Sequence, residues 1–63
     1  MDEEFVIDNY QPQPIADRIQ FWVREVATGR IEIIWVSLYD ASDADAAARL
    51  AIEEMRRRVR TPA

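Results

Sequence analysis

The residues able to do chemistry in this chain are those of recognition rather than catalysis. It carries 63 residues with no His, no Cys and no Lys, so all eight basic side chains are Arg. Nucleophilic Ser or Cys chemistry needs a positioned base, usually His, and none exists. A single glycine cannot build a phosphate-cradling loop, and without Lys there is no Schiff base. Paired carboxylates could move protons, but a cleft that perturbs them is hard to build from one small sheet and one helix. The expectation is therefore a non-enzyme without a cofactor, metal or catalytic residues.

Three residue sets remain. The first is Trp22, Arg24, Ile33, Trp35 and Tyr39, in the most strand-like part of the chain. Trp, Tyr and Arg are the residues enriched at binding hot spots. A plainer reading is an indole pair stacked across a hairpin. The second set is the basic run Arg56 to Arg60. Glu53 and Glu54 stand four residues before Arg57 and Arg58, as Asp45 does before Arg49, which predicts pairs along one helix. Arg56 and Arg60 lack such a partner and are the better candidates for an external contact. The third set is acidic: Asp2, Glu3, Glu4, Asp8, Asp40, Asp43 and Asp45. It reads as an anionic surface for a basic partner, or as a solvated face plus a helix start.

The elements that must position these residues follow from patterning. Glu3 to Asn9 predicts a short first strand. Gln11-Pro12-Gln13-Pro14 predicts a stiff extended connector, because each proline fixes its own φ and restricts its predecessor. The β-branched and aromatic runs Asp17 to Val26 and Arg30 to Tyr39 predict a hairpin over residues 17–39, with Gly29 supplying a positive φ in its loop. A two- or four-residue loop puts Ile19, Phe21 and Val23 on one apolar face with Ile34, Val36 and Leu38. The indoles then fall on the other face. A three-residue loop would pair Phe21 with Trp35 instead. The first register is favoured because it leaves one uninterrupted core face.

A helix is predicted over residues 43–60, with Ser42 as N-cap and Asp45 completing a capping box. Ala44, Ala47, Ala48, Ala51, Ile52, Met55 and Val59 form its apolar stripe, with Leu50 off it. The predicted fold is α+β: a three-stranded antiparallel sheet in β-β-β-α order, with the C-terminal helix packed on one face. One helix covers one face, so the other is left for water or a partner.

Size and charge narrow the partners. A chain of 63 residues makes a single domain that buries only about 60% of its unfolded surface, and such domains gain from a partner or a second copy. The net charge of −4 disfavours nucleic acid, whose binding rests on Lys and Arg. The acidic start lacks the features of a signal peptide, and no stretch approaches the roughly 20 apolar residues of a membrane span. The expected location is the cytoplasm, away from membranes.

A three-stranded sheet backed by one helix resembles sheet-reading DNA-binding modules of the plant AP2 and integrase arm-binding types. That likeness implies Arg18, Trp22, Arg24 and Trp35 as readers, against the acidic balance. In size and composition the chain also resembles phage-encoded inhibitors of host machinery, anti-CRISPR proteins among them. The function expected is a small protein-binding module that docks on, or occludes, a larger partner. The alternatives are a sheet-face nucleic-acid binder and a homodimer with packed sheet faces, acting as a structural or regulatory unit.

Overall fold

A computed structural model describes residues 4–60 of the chain. Strands β1 (Phe5–Gln13), β2 (Arg18–Glu25) and β3 (Ile31–Ser37) form an antiparallel sheet in the order β1-β2-β3. Helix α1 (Ala44–Arg60) packs across one face. This is the predicted α+β arrangement.

The hairpin takes the favoured register. Ile19 lies opposite Val36, and Phe21 opposite Ile34. Glu25 and Arg30 close the loop through Glu25 N–H to Arg30 O at 2.8 Å, leaving Val26 to Gly29 between them. Gly29 has φ +77°, and its N–H returns to Glu25 O at 2.8 Å. A side chain there would be strained by the backbone angle alone.

The first strand differs from expectation. It runs through the predicted connector to Gln13, and only Pro14–Ala16 forms a short 3-10 turn. The physical reason is position. β1 is an edge strand, and Pro12 lies opposite Ile19. Glu25 N–H bonds to the β3 side and Val26 N–H to Glu4 O on the β1 side. Carried along the ladder, that alternation turns the Pro12 nitrogen away from β2, where no donor is needed. A bulge between Ile7 and Asn9 leaves Asp8 as the extra residue. The predicted start at Glu3 lies outside the described residues.

Phe5, Ile19, Phe21, Val23, Ile34 and Val36 form the sheet side of the core, and Ala47, Ala51 and Met55 the helix side. Small alanines let α1 approach the strands closely. Two helix details are corrected. Asp43, rather than Ser42, is the N-cap: its Oδ1 accepts the Ala46 N–H at 2.8 Å, and with Ala46 at the third helical position there is no capping box. Leu50 packs half-buried against the core, although it lies off the predicted stripe, while Ala44 and Leu38 are exposed.

Candidate functional site

Strand alternation sends every second residue of β2 and β3 to the face that α1 does not cover. Trp22 lies opposite Ile33, Gln20 opposite Trp35 and Arg24 opposite Ile31. The indoles are therefore offset by one pair. The aromatic contact among the described residues is Tyr10 with Phe21, so the two indoles do not stack on each other. Trp35 is 42% exposed, Ile33 45% and Ile31 52%, while Trp22 is half-buried.

The polar groups of this face are held in place. The Arg18 guanidinium lies 3.8 Å from the centroid of the Trp35 ring, a cation–π contact. Arg18 Nε also donates to Gln13 Oε1 at 3.4 Å, and Gln13 Nε2 to Gln20 Oε1 at 3.4 Å. Arg24 Nε donates to Asp8 Oδ2 at 2.9 Å and Oδ1 at 3.2 Å. That hydrogen bond, and then the carboxylate's charge, raise the Arg24 pKa above its ordinary value. The result is an aromatic and amide-rich surface on which Asp8 neutralises one of the two cations.

Tyr39 lies past the end of β3 and is 83% exposed. Its hydroxyl donates to Asp17 Oδ2 at 3.1 Å. Asp17 has φ +54°, which a short polar side chain tolerates, and its C=O accepts Leu38 N–H at 2.8 Å.

The candidate arginines of α1 are not brought to this face. Arg56 lies against Phe5, a core residue of β1 on the face that α1 covers, with its guanidinium 5.7 Å from the ring centroid and its Nε 4.0 Å from Glu4 Oε1. Arg56 is thus partly engaged within the chain. Arg60 is exposed at the last described position. Glu54 takes both Arg57 and Arg58, so the expected Glu53–Arg57 pair is replaced by an i,i+3 contact. Asp45 and Arg49 form no ion pair among the described residues. The acidic set is divided as well: Asp8 is on the open face, Asp43 caps the helix, and Asp2 and Glu3 lie outside the described residues.

Sequence reasoning missed the contribution of β1. Asn9, Gln11 and Gln13 stand beside Trp22, Gln20 and Arg18. The signal was the continued alternation through Tyr10 and Pro12, which becomes readable once an edge position is allowed for proline. Ile31 was missed too, although it shares the parity of Ile33 and Trp35.

The site and fold define a small α+β protein with an open antiparallel sheet and an uncovered aromatic face. In comparisons with known proteins, no family model, no curated protein and no solved structure matches the chain. Among the described residues, no helix is long and apolar enough to cross a membrane.

Proposed function

We propose that the chain is a non-catalytic docking module that binds a larger protein through the open sheet face and acts by occlusion. The observation that carries this reading is the side on which the indoles lie: α1 covers one face, and Trp22 and Trp35 are on the other. Their surroundings support it. Arg18 rests on Trp35 and Arg24 is fixed by Asp8, so less side-chain freedom is lost when a partner arrives. Nucleic acid is the weaker reading, because the net charge is −4 and Asp8 already neutralises Arg24. A cytoplasmic site of action fits a chain without cysteine.

The test uses wild type, Trp35→Ala and Trp22→Ala as parallel baits in extract from the native host, with quantitative mass spectrometry. Circular dichroism checks that each bait is folded. A protein retained by wild type and lost from both folded variants supports the reading. Equal recovery by all three overturns it.

A further inference from the structure

The two edges of the sheet differ in a way that the open face does not explain. The outer edge of β1 is interrupted by the bulge at Asp8 and by Pro12. Natural sheets use such features to blunt an edge. The outer edge of β3 has neither, and its sequence, IEIIWVS, contains no proline, glycine or lysine. Glu25 N–H reaches Arg30 O, and Leu38 N–H reaches Asp17 O. By that alternation the even-numbered residues of β3 bond to β2. Ile31, Ile33, Trp35 and Ser37 turn their N–H and C=O groups outward. Arg58 Nη1 meets the outward Ile33 C=O at 3.4 Å, a long bond to an oxygen that has a second lone pair.

Charge along this edge selects the occupant. Arg58 contacts Glu32 and Ile33 near the start of β3, so α1 runs antiparallel to β3. A groove of about 470 Å3 lies between the two elements, floored by Ile34, Val36 and Leu50. Its wall is acidic at Asp40, Glu53 and Glu54 and basic at Arg57 and Arg58, with Glu54 lying between the two ends and paired to both arginines. A strand with the reverse charge order fits it, and a second copy turned about a two-fold axis near Ile34 presents that order. The same operation sets Ile33 against Trp35 of the second copy.

We propose that β3 pairs antiparallel with β3 of a second copy, giving a two-fold dimer with one continuous six-stranded sheet. Glu53 of each copy then faces Arg57 of the other. Both open faces lie on the same side, with Ile33 and Trp35 of each copy at the centre. Three strands about 4.8 Å apart, rising about 3.3 Å per residue, make a face of roughly 350 Å2. A standard interface takes about 800 Å2 per partner. Pairing would bring the platform close to that size. The dimer does not depend on the face having a partner.

Analytical ultracentrifugation of the full chain across a concentration series tests this. The expected result is a shift from the 7.4 kDa monomer to twice that mass. Ile33→Pro removes one outward N–H and leaves the β2–β3 ladder intact, so it should remain monomeric with an unchanged circular dichroism spectrum. Should that variant fail to fold, Glu53→Arg decides: it should raise the dimer dissociation constant roughly tenfold, and E53R/R57E should restore it. A wild-type monomer at all concentrations up to about 1 mM overturns the proposal. So does a dimer that Glu53→Arg leaves unchanged and Trp22→Ala breaks, which would be a dimer of packed sheet faces. Glu53 lies on the helix side, so E53R leaves the aromatic face intact and separates this proposal from partner docking.

Discussion

The two faces of the sheet are built from neighbouring residues of the same strands, yet they meet different surroundings. On the covered side Phe21, Val23 and Ile34 are 2%, 0% and 1% exposed. One residue along β3, Ile33 and Trp35 remain about half open to solvent. The covered face also meets the small side chains of Ala47 and Ala51, which allow close approach, and the buried Met55. The open face meets polar groups from the sheet itself: Asp8 at Arg24, and Gln13 at Arg18 and Gln20. Period-two alternation thus divides the hairpin between a sealed core on one side and an open aromatic face on the other.

The sharpest way to break that comparison is to truncate one aromatic on each face. Phe21→Ala empties a sealed position and should cost about 3–5 kcal/mol. A single core of this size rarely supplies more than about 3–5 kcal/mol in total, so the variant should be largely unfolded at 37 °C. Trp35→Ala removes a side chain already open to water and should cost about 1 kcal/mol or less. Urea unfolding of both variants checks this. If Trp35→Ala destabilises as much as Phe21→Ala, the open face is a second core and the division fails.

The same division explains what could be read from sequence. The hairpin was legible because two alternating runs flank a glycine, and one register alone gives a continuous apolar face. The helix stripe was legible because Ala47, Ala51 and Met55 recur at helical spacing. β1 was misread past Asn9 because proline's local rule was applied without knowing that the strand lies at an edge. The Asp8–Arg24 pair depends on strand order, which composition does not encode. Arg56 was judged by its helical neighbours alone, while its contacts, Phe5 and Glu4, come from the far end of the chain. Ser42 and Asp43 are both good caps by residue type. The choice between them is made where α1 must begin in order to seat its alanines on the sheet.

That cap offers a milder perturbation, which loosens the covering element without touching either face. Asp43→Ala removes the acceptor of the Ala46 N–H and should cost about 1 kcal/mol. Ser42→Ala should stay within about 0.5 kcal/mol. Thermal melts of the two variants distinguish them. A larger loss for Ser42→Ala would move the helix start back by one residue.

The smallest expected effect lies at the rim of the covered face, where Glu32 ties β3 to the end of α1. It accepts from Arg30 Nε at 2.9 Å and from Arg58 Nη1 at 3.3 Å. The Arg30 hydrogen bond, the nearby charges and the Arg58 hydrogen bond together hold its carboxyl below the ordinary range, against an opposing effect of burial. A carboxyl lowered on folding binds its proton more readily in the unfolded chain. Its stabilising contribution is therefore complete above the unfolded pKa of about 4.3 and is lost as pH falls through the folded value. Glu32→Gln should be less stable than wild type at neutral pH, and the gap should narrow on acidification as wild type loses its charge. Urea midpoints at pH 7 and at progressively lower pH measure this. A gap that widens toward acid would mean that Glu32 is held by burial rather than by its arginines, and that the covered face reaches further toward the β3 edge than its ion pairs indicate.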